Sequence, residues 1–215
     1  LYDKIPVTYL CMLIGSVALV GLPFFSGYYS KDLILELIYL GKNDINFYAA
    51  ILGVIAVFFT SLYSLRLIIY VFHGQSKSDE KVLAHVHESP FIMIGPLVLL
   101  SIFSIFFGMA THEYFFGAKS SILWSGLLYI NNELNDYSLI EGIPFYIKKI
   151  PLLMILTALI ISLTLYYPLK SILPYMKEKL ILVFKLFSNK LYIDEIYDFF
   201  IVRPIFYLGK GFWKS

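Results

Sequence analysis

Apolar residues gather in four stretches along the chain, at residues 5–40, 47–72, 91–110 and 150–168, divided by segments rich in Lys, Asp, Asn and Ser. Each approaches or exceeds the ~20 residues that carry an α-helix across about 30 Å of hydrocarbon. The pattern predicts an all-α polytopic helical membrane protein with four spans. The first stretch is too long for one straight crossing, and its middle, Gly21-Leu22-Pro23-Phe24-Phe25-Ser26-Gly27, holds helix breakers. Pro23 lacks an amide donor and Gly27 tolerates unusual backbone angles. The expected form is a discontinuous transmembrane helix: a half-helix over 6–22, an unwound turn, and a second half-helix over 28–40. Such breaks survive at membrane depth where the freed backbone lines a polar cavity, and in transporters they mark ion or substrate sites.

The connection over 111–149 is long and polar, with Asn131, Asn132, Glu133, Asn135, Asp136 and Glu141, and has room for a short surface helix. After residue 169 the apolar runs give way to mixed apolar and charged sequence, with Pro174 and Pro204 as breakers. The organisation read from this is a transmembrane bundle over 1–169 and a membrane-surface region over 170–215, the start of an amphipathic lateral helix. On a helical wheel Asp194, Glu195 and Asp198 share one polar arc and Arg203, Lys210 and Lys214 a neighbouring one. Aromatic residues intrude on both arcs, so the expected amphipathicity is weak.

Composition strengthens the membrane reading. Hydrophobic residues make up 59% of the chain, charged residues 15%, and the mean hydropathy is +0.77, more apolar surface than a soluble fold has room to bury. A net charge of +2, with basic residues set among aromatic and aliphatic runs, argues against a nucleic-acid partner and for the lipid bilayer as the surroundings. The single cysteine, Cys11, excludes an intrachain disulfide and a thiolate cluster and reads as a small buried hydrophobe. With four crossings, Lys4, Lys77, Lys81 and the basic residues of the tail share one side, and Lys42, Lys119, Lys148 and Lys149 the other. The positive-inside rule makes the first side cytoplasmic or its organellar equivalent. The chain begins at Leu1 without a Met or a signal-peptide pattern, and is expected to be a piece of a longer protein.

Charges inside the apolar stretches carry the candidate chemistry. Lys31 lies ten residues before Gly41, about 15 Å from that membrane boundary, near the bilayer centre. A lysine there costs at least about 2.5–3.5 kcal/mol and needs a partner or a function. Asp32 and Glu36, four residues apart, share a face, while Lys31 points about 100° away from Asp32. Ser26, Tyr28, Tyr29 and Ser30 stand beside them to organise water. Were the break a plain surface loop, Lys31 and Asp32 would be ordinary surface residues. Arg66 is about 10 Å from the cytoplasmic boundary; it either snorkels to the surface or supplies a charge that tunes Asp32 or Glu36. His85 and His87 lack the further ligands a metal needs, so no metal site is expected, and His73 and His112 sit at span ends where they meet headgroups, water or a proton relay. The chain shows no Gly-rich phosphate loop, paired cysteines or nucleophile elbow, and no cofactor of its own is expected.

Together these runs resemble a known family. Lys4-Ile5-Pro6-Val7-Thr8-Tyr9, Gly21-Leu22-Pro23, Gly27-Tyr28-Tyr29-Ser30-Lys31-Asp32, Ile34-Leu35-Glu36, Tyr63-Ser64-Leu65-Arg66-Leu67-Ile68, Phe72-His73-Gly74 and His87-Glu88-Ser89-Pro90 resemble the C-terminal half of the large antiporter-like subunit of respiratory complex I, called subunit L in bacteria and chain 5 in mitochondria. The tail motifs Tyr192-Ile193-Asp194-Glu195-Ile196-Tyr197-Asp198 and Val202-Arg203-Pro204 extend the match. The resemblance implies a proton-translocating membrane-arm subunit of NADH:quinone oxidoreductase, in which Lys31 stands at the outer end of a proton route with Asp32 beside it. It further implies a lateral helix from about residue 191, other membrane-arm subunits as partners, and NADH, FMN, iron–sulfur clusters and quinone held by partner subunits. The chain would then be part of an enzyme and not one by itself, in a bacterial inner membrane or a mitochondrial one. Two other functions compete: the large subunit of a multisubunit Na+/H+ antiporter, which is similar around the broken helix, and a non-transporting membrane scaffold.

Overall fold

The computed structural model describes residues 1–41, 43–74, 78–115, 117, 119–124, 142–167 and 172–214. Two compact units divide the chain, Leu1–Tyr166 and Tyr167–Ser215. In the first, the broken segment forms α1 (Pro6–Val20) and α2 (Ser26–Leu40). The next apolar run forms α3 (Asp44–Ile68), prolonged by a π-helical turn at Ile69–His73. A short α4 (Glu80–Ala84) precedes α5 (Phe91–Phe115), a single turn of α6 (Ser120–Trp124) follows, and α7 (Phe145–Tyr166) closes the bundle. Among the described residues, three helices, Asp44–His73, Phe91–Phe115 and Phe145–Tyr166, are long and apolar enough to cross a membrane. The half-helices, 15 residues each, reach only about 22 Å apiece.

The crossings are longer than the apolar runs that announce them, because a helix continues into interfacial residues that hydropathy counts as loop. This matters most for α7. Lys148 and Lys149 were expected in the connecting loop, and the structure places them inside the helix that begins at Phe145. The polar residues from Asn131 to Glu141, together with Lys42, Lys77 and Lys170, lie outside the described residues.

The bundle packs around small side chains. Val20, Val57 and Ile155, 5%, 1% and 2% exposed, form the apolar core. They come from the end of α1 and from the middles of α3 and α7, so the core marks the mid-height of the bundle. Beside it α3 presents Ser61 and Ser64 and α7 presents Ala158 and Ser162, all buried. Small residues let two helix backbones approach closely where burial of apolar surface gives no drive between helices in lipid. The hydroxyls of Ser61 and Ser101 donate to the carbonyls of Val57 and Leu97, both at 2.8 Å, which hides them inside their own helices. Most of the remaining apolar side chains, including nearly all of α5, face outward.

The second unit contains α8 (Ile172–Lys179), α9 (Ile181–Ser188), a 3-10 turn at Lys190–Tyr192, α10 (Ile193–Tyr197), a π-helical turn at Asp198–Val202 and α11 (Arg203–Lys214). Pro174 falls in the first turn of α8, where a missing amide is tolerated, so it starts a helix and does not break one. Lys190, Leu191 and Tyr192 all have positive φ, at 52°, 59° and 56°, and this left-handed corner fixes where α10 begins. The expectation of weak amphipathicity does not hold for α11. Arg203, Tyr207 and Lys210 fall on one stripe, with Ile205, Leu208 and Phe212 away from it and Phe206 at its edge, where Lys210 Nζ lies 5.4 Å from the ring centroid. The π turn inserts extra backbone before Pro204 and rotates the polar face between α10 and α11. A wheel drawn with one period across both averages the two faces away.

Candidate functional site

The site is built on the break between α1 and α2. Gly21, at φ 92° and ψ 38°, ends α1 in the left-handed conformation. Its amide donates to Ala18 O at 3.2 Å, and the Leu22 amide to Val17 O at 3.4 Å, the pair of bonds that defines a Schellman ending. A helix leaves its last four carbonyls without intrahelical partners. Here the turn satisfies two of the four, Val17 and Ala18, leaving Leu19 and Val20.

Lys31 supplies the remainder. It sits in the second turn of α2, and its Nζ donates to Leu19 O at 3.4 Å and Val20 O at 3.3 Å. The lysine stem runs along Gly21, where a Cβ would stand 3.4 Å from Lys31 Cδ. The cation thus meets the negative end of a helix dipole, beside Val20 and so at the mid-height of the bundle. Gly27 makes the approach possible: a Cβ on it would lie 1.8 Å from Ala18 O, so only glycine lets α2 start against the end of α1.

Asp32 and Glu36 point elsewhere. They line a cavity of about 520 Å³ between α2, α3 and α7, walled mainly by apolar residues such as Leu35, Val54 and Met154 and lined also by Tyr39, Tyr146 and Lys148. The shared face of the two acids is as the four-residue spacing requires. The third charge, Lys148, comes from 112 positions further along the chain, and sequence reasoning counted it only as a loop cation. No ion pair joins Lys31 to Asp32 among the described residues. Arg66 stays apart from both acids. Its guanidinium lies over the Tyr70 ring, 5.6 Å from the centroid, whereas the acids face the first half of α3, at Phe47 to Ile55.

The other end of α1 was missed in the sequence altogether. Pro6, the first residue of α1, has no amide to satisfy. The Val7 and Thr8 amides donate to the Glu88 carboxylate at 3.0 and 3.3 Å, and the Thr8 hydroxyl donates to it at 2.5 Å. The Tyr9 amide returns to Ile5 O at 2.9 Å. Glu88 lies in the loop before α5, where the Thr8 hydroxyl and then these amides hold its carboxyl below the usual glutamate range. His85 and His87, just before it, pair through Nδ1 with the carbonyls of Lys81 and Glu88. Nearby, the Tyr9 hydroxyl and His73 Nε2 share a hydrogen bond at 3.1 Å, and Lys4 Nζ donates to Leu83 O. At the opposite end of the bundle the His112 ring packs on Tyr29, centroids 5.3 Å apart.

With this geometry in place, similarity to known proteins gives it a context. The family model for the transmembrane region of NADH:quinone oxidoreductase and Mrp antiporter subunits matches residues 1–60, which contain both half-helices. NADH-quinone oxidoreductase subunit L of Rickettsia typhi is 36% identical over 235 residues, 97% of this chain and 34% of the relative. NADH-ubiquinone oxidoreductase chain 5 of Dictyostelium citrinum is 35% identical over 231 residues, 100% of this chain and 34% of the relative. Over nearly its whole length the chain is similar to the subunit L and chain 5 proteins. It spans about a third of the length of the curated relatives it matches. The family model covers oxidoreductase and antiporter subunits alike, while the full-length similarity, tail included, is to oxidoreductase subunits of an enzyme complex.

Proposed function

We propose that the chain is part of a proton-translocating membrane-arm subunit of an NADH:quinone oxidoreductase, in which Lys31 alternately holds and releases a proton. The carbonyl cradle on Lys31 Nζ carries this reading. An ammonium has three donors, and the cradle uses two. Loss of the third proton, to water or onward towards Asp32, breaks one N–H bond and leaves a neutral amine with a lone pair. That amine still has two N–H groups for Leu19 and Val20, so the end of α1 stays capped in both charge states. Asp32, the neighbouring residue, opens on the cavity that Glu36 and Lys148 share, a route of polar groups leading away from mid-height. The neutral and charged forms thus differ by one proton and little else, which suits a relay.

In this reading the electron carriers, NADH, FMN, iron–sulfur clusters and quinone, belong to partner subunits, the other membrane-arm subunits pack beside this one, and the membrane is a bacterial inner membrane or its mitochondrial counterpart. Electron transfer elsewhere drives the cycle. A sodium/proton antiporter subunit remains the second reading, favoured only by the shared family model over residues 1–60; purification of the native complex separates the two by the presence of flavin and iron–sulfur partners.

The deciding experiment places Lys31→Arg in the full-length subunit. Arginine keeps the charge and the donors but does not release its proton. The complex is expected to assemble and to lose proton translocation coupled to NADH oxidation. Normal pumping by Lys31→Arg would refute the role.

A further inference from the structure

The geometry points to Glu88 as a positioning residue for Lys31, acting through α1 as a rigid rod clamped at both ends; the inference rests on the role of Lys31 proposed above. Among the described residues, the hydrogen bonds of the Glu88 carboxylate all come from the first turn of α1: the Val7 amide, the Thr8 amide and the Thr8 hydroxyl. Among the described residues no ion pair competes for it. Lys4 is spent on Leu83 O, and His85 and His87 on backbone carbonyls. Glu88 therefore does one thing, which is to fix the start of α1 to the loop that leads into α5.

At the far end of α1 the only side-chain donor to the free carbonyls among the described residues is Lys31. A helix is stiff along its axis, since each residue advances it by about 1.5 Å through bonded geometry. A slip at Val7 and Thr8 therefore reappears at Leu19 and Val20. The bonds there are already long, at 3.3 and 3.4 Å, so a slip of one ångström breaks the cradle. Glu88 thereby sets the distance between Lys31 and its carbonyls from the opposite end of the helix, without touching either.

The test uses the full-length subunit in the assembled, membrane-embedded complex, measuring protons moved per NADH oxidised as a function of pH. Glu88→Ala is expected to lower that ratio at least twofold and to shift the pH of half-maximal pumping, and Glu88→Gln, which keeps an oxygen acceptor at the same reach, to restore most of both. Thr8→Val removes one of the three bonds and should shift the profile in the same direction by less; it carries the test if Glu88→Ala does not assemble. A wild-type ratio and pH profile in assembled Glu88→Ala or Thr8→Val complexes overturns the inference, as does a loss in amount of complex with an unchanged profile. Lys31→Arg, run in parallel, separates the two ideas. If it abolishes pumping while the Glu88 and Thr8 variants keep the wild-type profile, the positioning role alone fails; if Lys31→Arg pumps normally, the role of Lys31 fails first.

Discussion

Glu88 and Lys31 hold opposite ends of one half-helix: the carboxylate takes the amides of Val7 and Thr8, and the ammonium takes the carbonyls of Leu19 and Val20. Each charge has the sign that its end of the helix dipole favours. With Pro6 lacking an amide and Gly21 closing a Schellman turn, the backbone groups at both ends of α1 are accounted for. A helix that stops at mid-bilayer needs this, because lipid satisfies none of them.

Removing Lys31 should therefore have a structural cost separable from its chemistry. Lys31→Ala strands two carbonyls, each worth about 1–3 kcal/mol when left unpaired. Lys31→Arg keeps donors for them. The thermal midpoint of the complex is expected to fall in the alanine variant and to stay near wild type in the arginine variant, although both lose pumping. Equal midpoints for Ala and wild type would show that the cradle contributes nothing to stability.

Gly27→Ala meets a different obstacle. Its Cβ would stand 1.8 Å from Ala18 O, and a backbone carbonyl cannot rotate aside as a side chain does. Overpacking of this kind costs about 1–3 kcal/mol or more. Native gels of membranes carrying Gly27→Ala should show severalfold less assembled complex, with Gly15→Ala as the control, since nothing lies within 4 Å of a Cβ at Gly15.

The cavity shared by Asp32, Glu36 and Lys148 predicts a charge-swap rescue. Lys148→Glu places three acids in one largely apolar space and is expected to reduce NADH-driven proton translocation severalfold. Adding Glu36→Lys restores the charge balance and should recover most of it. A double variant no better than the single one would mean that the two residues do not work on the same space.

Arg66 serves as the contrast. Its guanidinium rests on Tyr70, far along α3 from the acids. Arg66→Gln is expected to lose about 0.5–1 kcal/mol of stability from the cation–π contact, while pumping by the assembled complex stays within twofold of wild type. A larger loss of pumping would revive a direct action of Arg66 on Asp32 or Glu36.

The Glu88 clamp should fade in acid. Hydrogen bonds from Thr8 and Val7 depress the folded-state pKa of Glu88, so its contribution to stability is complete above the unfolded value of about 4.3 and is lost as pH falls through the folded value. Thermal midpoints of wild-type and Glu88→Gln complexes should differ by a constant amount near neutrality and converge below that range. Midpoints that diverge in acid would contradict the assignment.

The long apolar helices, the break and the position of Lys31, Asp32 and Glu36 just after it were legible along the chain, because each is a local property. Twenty apolar residues in a row, a Pro and two glycines within seven residues, and a lysine among them are legible without knowing any neighbour. The spacing of Asp32 and Glu36 put them on one face, and the same spacing turned Lys31 aside, as the structure has it. What those charges meet follows from how the helices pack. Glu88 reaches α1 across 80 positions and Lys148 reaches the acids across 112, and no periodicity encodes contacts made by folding one helix against another. Arg66 and the acids share a neighbouring pair of helices but stand at different heights along them, which sequence distance does not fix. The face of α11 was obscured for a related reason: one π turn before Pro204 shifts the phase of everything after it, and a wheel assumes a single helical period throughout.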